Sequence, residues 1–338
     1  MLKLLGKIYG GVADARNLLY DRGIFKTHSL GARTISIGNL TAGGTGKTPL
    51  VAYVAEILAD RGEKVCILTR GYGRKNPASR VLVSDWENVL ADAPSGGDEP
   101  VELARKLVGK AIVIADSDRV AAAKWTKDRF GITAFVLDDG FQHRRAHRDL
   151  DIVCVDATKP SEWMLPFGSL REPLPNLRRA DVIVFTRSDL VDRVATLVSQ
   201  AATLNPTAKI FTSRMATLTA TPLSTFLKSN RSEPNLNPRV TCFAFCGLGN
   251  PNAFFDALRS AKYRLEATRA FRDHHFYTKE DLYELQAEAV ERRVEALITT
   301  PKDAVKLEGL KLEFPCYVIE SEVTFDDVEG FRELVTSS

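Results

Sequence analysis

Residues 35–58 read ISIGNLTAGGTGKTPLVAYVAEIL, and this stretch decides how the chain folds. A short apolar strand over Thr34–Ile37 runs into a loop holding Gly38, Gly43, Gly44 and Gly46, followed by Lys47, Thr48 and a helix. Pro49 suits a first helical turn, where its missing N–H has no partner to lose. Leu50, Val51, Val54, Ile57 and Leu58 recur at helical spacing, and Gly62 marks the stop. Strand, glycine loop, Lys-Thr and helix in that order form a phosphate loop. Its backbone N–H groups converge on an anion, and the helix N-terminus adds partial positive charge. The cradle comprises Thr41, Ala42, Gly43, Gly44, Thr45, Gly46, Lys47 and Thr48, with Lys47 reaching the outer phosphates and the Thr48 hydroxyl ligating Mg²⁺. Thr41 stands where such loops usually carry their leading glycine, and a β-branched residue resists positive φ. Either the loop turns differently there, or Gly38 and Gly43 take the strain.

Outward from the loop, strands alternate with helices. Lys64–Thr69, Ala111–Ala115, Thr133–Leu137, Asp151–Val155 and Asp181–Thr186 read as near-continuous apolar strands, with helices opening after Gly97 and at Asp116–Arg119. Residues 85–97 read as a loop. The expected fold is α/β: a P-loop NTPase-like, doubly wound, mostly parallel sheet with a second, smaller α/β domain. Ligands bind such sheets at the carboxyl ends of the strands. Four apolar residues ending in Asp138 supply the carboxylate that a nucleoside triphosphate site uses to hold Mg²⁺. Asp139, Gly140, Phe141, Gln142 and His143 continue that edge, and Arg70, Arg74, Arg119, Arg144 and Arg145 are candidate phosphate partners or plain surface charges.

Past Asp189 the pattern weakens, and residues 214–238 read as a connector. Strands resume at Arg239–Cys246, Arg264–Phe271, Ala296–Thr300 and, last, Tyr317–Glu320. Lys279–Glu291 is helical, and Asn252 is placed to cap the helix before it. The expected division is 1–22 (an amphipathic helix), 23–213 (the nucleotide-binding domain) and 214–338 (a smaller α/β domain closing the active-site cleft). His274 and His275 sit together beside Asp273. They are either surface imidazoles near a helix capped by Asp273 or a titratable group serving the phosphate chemistry.

A 338-residue chain with 44% hydrophobic and 26% charged residues is ordinary globular material. A net charge of +3 with dispersed basic residues gives no reason to expect nucleic acid as a partner. The five cysteines read as small buried residues of a reducing compartment. In residues 1–22, Met1, Leu5, Ile8, Val12, Ala15 and Leu19 form one helical stripe beside Lys3, Lys7, Arg16 and Arg22. That pattern fits a helix packed on its own domain or one lying on an anionic membrane surface.

These motifs resemble the tetraacyldisaccharide 4′-kinase family of lipid A synthesis. The resemblance rests on residues 36–49, 69–74 (TRGYGR), 97–100 (GDEP), 137–143 (LDDGFQH), Leu165-Pro166 with Gly168, Leu170, Arg171 and Glu172, then Gly247, Gly249-Asn250-Pro251, Asp273-His274 and 302–307 (KDAVKL). It implies transfer of the ATP γ-phosphate to the 4′-hydroxyl of a tetraacyldisaccharide 1-phosphate. Asp98 and His274 would be the catalytic pair, and Arg119 would join the ATP-binding set. Thr48, Glu99, Asp138 and Asp139 would serve Mg²⁺, with Gln142 completing the shell. It further implies a peripheral protein on the cytoplasmic face of the bacterial inner membrane; a monomer is the expected state. A competing reading is a P-loop GTPase or metallochaperone switch, because Thr186-Arg187-Ser188-Asp189 loosely resembles a guanine-recognition segment with Arg in place of Lys.

Overall fold

The computed structural model describes residues 2–159, 164–165, 168–229, 236–237 and 239–337. Met1 of the apolar stripe, Pro166 of the family motifs, and positions 230–235 and 238 of the expected connector lie outside the described residues. The chain forms two compact units that interleave along the sequence. The first comprises Met1–Arg70, Lys110–Met215 and Val323–Ser338, and the second Gly71–Gly109 and Ala216–Glu322. This departs from the linear division at 213/214. The phosphate-loop half gives up 71–109 to the second unit and takes back the end of the chain.

In chain order the first unit opens with Leu2–Asp21 (α1), Arg33–Asn39 (β1), Lys47–Asp60 (α2) and Val65–Thr69 (β2). The second unit then receives Val81–Ser84 (β3), Ala93–Gly96 (α3) and Asp98–Lys106 (α4). The expected loop over 85–97 thus contains one helical turn, because the Asp92 carboxylate caps it at Ser95 N. Back in the first unit follow Ala111–Ala115 (β4), Arg119–Phe130 (α5), Ala134–Asp138 (β5), Leu150–Asp156 (β6), Val182–Thr186 (β7), Val194–Leu204 (α6) and the start of Lys209–Pro222 (β8). Much of the expected connector is therefore strand. Its threonines are β-branched and favour the extended backbone rather than a linker.

The first unit's strands are hydrogen-bonded in the order β8-β7-β6-β1-β5-β2-β4, and every register resolved among them is parallel. Ile37 of β1 lies opposite both Asp138 of β5 and Ile152 of β6. The phosphate loop and the Asp138–Asp139 corner consequently leave the sheet at one edge. Beneath that edge Leu40, Phe141, Val153, Leu170, Ile183 and Phe185 share one apolar cluster.

The second unit continues with Leu223–Leu227 (α7), Thr241–Cys246 (β9), Pro251–Ser260 (α8), Arg264–Ala270 (β10), Lys279–Glu291 (α9), Ala296–Thr299 (β11), Pro301–Ala304 (α10) and Cys316–Phe325 (β12). Its parallel strands run β10-β9-β11-β12. Asn250, not Asn252, stands at the start of α8, and its side chain makes no cap. Residues Val328–Ser337 form a further helix (α11) that sequence reading missed. It belongs to the first unit, where Phe331 stacks on Phe325 at 4.0 Å and both rings approach Tyr53 of α2. All five cysteines are buried, as expected, and burial pushes the Cys66 and Cys154 thiols up to about 12.

Candidate active site

The phosphate loop is built by backbone and braced by side chains. Gly43 and Gly46 take the left-handed conformation, with φ of 102° and 77°. Thr41 does not: it pairs in antiparallel fashion with Leu170, an extended geometry that suits a β-branched residue. Gly38 also avoids positive φ. It is needed for space, since a Cβ there would come within 2.5 Å of the Phe141 side chain. Three loop carbonyls are held from neighbouring strand ends. Gln142 Nε2 donates to Asn39 O at 2.9 Å, Thr186 Oγ1 to Thr45 O at 2.9 Å, and Arg187 Nη1 to Gly44 O at 3.3 Å. Asn39 Nδ2 donates to Thr45 Oγ1 at 2.9 Å. Ala42, Gly43 and Gly44 remain exposed, and Lys47 and Thr48 start α2, whose first N–H groups have no partner within the helix.

Beside the loop, Asp139 sits at φ 51° in the corner after β5. Lys47 Nζ lies 3.3 Å from Asp139 Oδ1, and Arg171 Nη1 reaches both carboxylate oxygens at 2.9 and 2.7 Å. Burial opposes ionisation of this carboxyl, but Lys47, Arg171 and Arg119 outweigh it and bring it to about 2. Asp138 accepts a hydrogen bond from Thr69 Oγ1 at 3.0 Å, and the buried Arg119 donates to the Asp138 carbonyl at 2.9 Å. Thr48, Asp138 and the buried Gln142 Oε1, which has no hydrogen-bond partner among the described residues, are hard oxygen donors of the kind Mg²⁺ takes. Asp139 is instead engaged by two cations. Glu99 belongs to the second unit, where it pairs with Lys302 at 3.3 Å. Arg144 and Arg145 bind Asp21 and Asp118, and Arg74 binds the Pro77 carbonyl.

The segment that resembled a guanine reader is part of the brace. Arg187, at φ 57°, forms an ion pair with Asp156 and reaches Gly44 O, while Asp189 is exposed. Asp156, Thr186, Arg187 and Arg171 escaped the sequence-based site. Arg171 carried a signal as one letter of a family motif, and Thr186 and Arg187 carried one that pointed to a different role, in the guanine-reader segment.

The second unit brings together the other expected pair. Gly97, at φ 95°, turns the chain where a Cβ would crowd Tyr72 O at 3.1 Å, and so sets Asp98 on the first turn of α4. The helix N-terminus favours the anion there. Asp98 is 4% exposed. Its Oδ2 lies 2.8 Å from His274 Nδ1, and its Oδ1 accepts from Glu99 N at 3.0 Å. Burial works against the carboxylate, yet His274, Lys302 and Lys306 together hold it below its ordinary range. The Asp98 hydrogen bond in turn raises the His274 imidazole. His275 has a different task. It stacks on Phe271 at 4.8 Å and bonds Asp281 at 2.9 Å. The cap of α9 is the reciprocal Thr278–Asp281 box rather than Asp273. Lys302, Asp303 and Lys306 were not expected at the site. Lys306 is fully buried, 2.9 Å from Asp303 and 3.9 Å from Asp98.

Helix α1 docks by its small and polar positions. Gly10 lies against Pro173, Asn17 Nδ2 donates to Glu172 at 2.7 Å, and Asn176 donates to Asp14 at 2.8 Å. Arg16 donates to the Gln142 carbonyl at 2.8 Å. The apolar stripe faces away from these contacts: Leu5, Ile8 and Val12 are 46%, 55% and 64% exposed. Among the described residues no helix is long and apolar enough to cross a membrane.

A phosphate loop after the first parallel strand, with an aspartate closing the adjacent strand, defines a P-loop NTPase-like α/β protein. Within that class, the chain belongs to the tetraacyldisaccharide-1-P 4′-kinase family, whose profile matches residues 1–338. It is 39% identical over 311 residues to the tetraacyldisaccharide 4′-kinase of Geobacter metallireducens, covering 91% of this chain and 88% of that one. The enzyme of the same name from Chlorobium limicola is 36% identical over 348 residues, covering 100% and 96%. The crystal structure of LpxK from Aquifex aeolicus in complex with ATP superposes with a TM-score of 0.78 at 28% identity, covering 100% of this chain and 99% of that one. Membership in a kinase family sets aside the GTPase switch reading.

Proposed function

We propose that this protein transfers the γ-phosphate of ATP to the 4′-hydroxyl of a tetraacyldisaccharide 1-phosphate, yielding lipid IVA in lipid A biosynthesis. The observation that carries the catalytic part of this reading is the buried Asp98–His274 pair at 2.8 Å. A sugar hydroxyl is a weak nucleophile at neutral pH, and an ionised carboxylate held by an imidazole is a suitable acceptor for its proton. The hydroxyl oxygen bonds to the γ-phosphorus, the bond from that phosphorus to the bridging oxygen breaks, ADP leaves with the electron pair, and Asp98 receives the proton. The loop Thr41–Thr48 holds the triphosphate, with Lys47 and Arg119 offsetting its charge. Lys47 must exchange Asp139 for phosphate, and Arg171 is in place to keep Asp139 neutralised when it does. Thr48 and Asp138 would hold Mg²⁺, with Gln142 Oε1 as a further oxygen donor, and the ion would neutralise phosphate charge.

The exposed stripe of α1 supports action on the anionic cytoplasmic face of the inner membrane, where a tetraacylated substrate resides. The test is incubation with labelled ATP and the disaccharide 1-phosphate lipid, with the deacylated sugar as control. Label in the lipid at the 4′ position is expected. Label in neither acceptor would refute the assignment. Replacing Ile8 and Val12 by Asp should reduce binding to anionic vesicles, and unchanged binding would remove α1 from the membrane reading.

A further inference from the structure

The imidazole of His274 is contacted at both nitrogens. Nδ1 faces Asp98 Oδ2 at 2.8 Å, and Nε2 faces Lys302 Nζ at 3.2 Å. An ammonium group has three N–H bonds and no lone pair. Nε2 must therefore present its lone pair to Lys302, so the ring proton sits on Nδ1 and is donated to Asp98. Lys302 is itself fixed. Its ammonium lies 3.3 Å from Glu99 Oε1 and 3.3 Å from Asp273 Oδ1, and its side chain is 12% exposed. Three donors thus meet three acceptors: a carboxylate on α4, a carboxylate in the loop after β10, and the imidazole. Lys306 cannot substitute, because its ammonium is occupied by Asp303 at 2.9 Å.

We propose that Lys302 is a positioning residue for phosphotransfer, one that selects the Nδ1–H tautomer of His274 and thereby keeps the imidazole donating to Asp98. The proposal rests on the reading of Asp98 as the proton acceptor. In the opposite tautomer an Nδ1 lone pair would face the Asp98 carboxylate, and Nε2–H would face the ammonium. Both contacts are repulsive, and Asp98 would lose the hydrogen bond that aims it. Neither Lys302 nor its partner Asp273 needs to touch a substrate for this role.

The experiment compares Lys302→Met, which removes donor and charge, with Lys302→Gln, which keeps a neutral N–H donor. Nitrogen-15 spectra of the histidine-labelled protein report which ring nitrogen of His274 carries the proton. Lys302→Met is expected to admit a proton at Nε2 that the wild type excludes, and to lower kcat by on the order of 10- to 100-fold, the size seen when an imidazole's orienting partner is removed. KM for ATP and for lipid should change little. Lys302→Gln should retain the Nδ1–H signature and recover most of the kcat. Three results would overturn the proposal: an unaltered His274 spectrum in a folded, inactive Lys302→Met; a loss confined to KM for ATP, which makes Lys302 a phosphate-binding charge; or Lys302→Gln no better than Met. Asp98→Asn and His274→Ala are measured alongside. Retained turnover in these two would bring down the parent reading. Lost turnover in them with an unimpaired Lys302→Met would bring down this inference alone.

Discussion

The phosphate loop and the Asp98–His274 pair solve different problems with different materials. In the proposed reading the loop binds an anion through the backbone of eight contiguous residues, and side chains from the end of β7 and the β5 corner only brace its carbonyls. The acid–imidazole pair joins side chains 176 positions apart. In the proposed mechanism its residues matter through one proton and one lone pair, and Lys302 and Lys306 lie close enough to condition both. A main-chain site tolerates drift in its surroundings. A side-chain site depends on each partner that fixes a tautomer or a charge.

This contrast can be broken at several points. The largest effect is expected for Lys47→Ala, because it removes the loop's own cation from the transferring phosphate. Turnover should fall on the order of 10³-fold, with weaker ATP binding measured by calorimetry. Wild-type-like turnover would mean that the loop serves another ligand. Next, His274→Ala should lower kcat about 10²-fold. His275→Ala should act through stability, losing its stack on Phe271 and its bond to Asp281, with a melting temperature lower by roughly 2–4 °C per kcal/mol lost. Equal kcat losses from the two would erase the distinction between them.

A smaller effect tests the bracing. Thr186→Val removes the hydroxyl that donates to Thr45 O, a bond worth about 1 kcal/mol. KM for ATP should rise about fivefold while the lipid KM stays put. The smallest effect concerns His143. Burial, then the nearby Arg119 and Arg148, bring its imidazole down to about 4 from an ordinary 6.5. The unfolded chain therefore binds the extra proton first as pH falls. Stability from this group is complete above pH 6.5 and is lost progressively on descending toward about 4. An NMR titration of His143 with a midpoint near 6.5 would contradict this.

The contrast also explains what could be read in advance. The strand, the glycine loop and α2 are local, and so were legible from spacing, as was Asp138 at the end of an apolar strand. Asp98 emerged only through a family motif, and His274 stood out as one of two adjacent histidines without a stated partner, because nothing local marks a pair whose members meet in space alone. Lys302 lay in plain view as part of KDAVKL, but its partners are scattered over α4 and the loop after β10. The strand over 209–222 was hidden by its threonines, which look like linker composition and behave as β-branched residues. Helix α11 was missed because its buried residues, Phe331, Leu334 and Val335, cover a core whose other half lies far back in the chain.

That last segment sets an order of events during synthesis. Residues 323–337 leave the ribosome only after the whole of the 216–322 section has been made, yet they belong to the unit built around the phosphate loop. Until they arrive, Tyr53 and Phe211 have no Phe325–Phe331 stack against them, and the Arg33 guanidinium lacks the Val335 carbonyl it binds. A nascent chain therefore carries an unsealed first unit until its last stretch emerges, and that interval is when chaperone capture or proteolysis would find it most open.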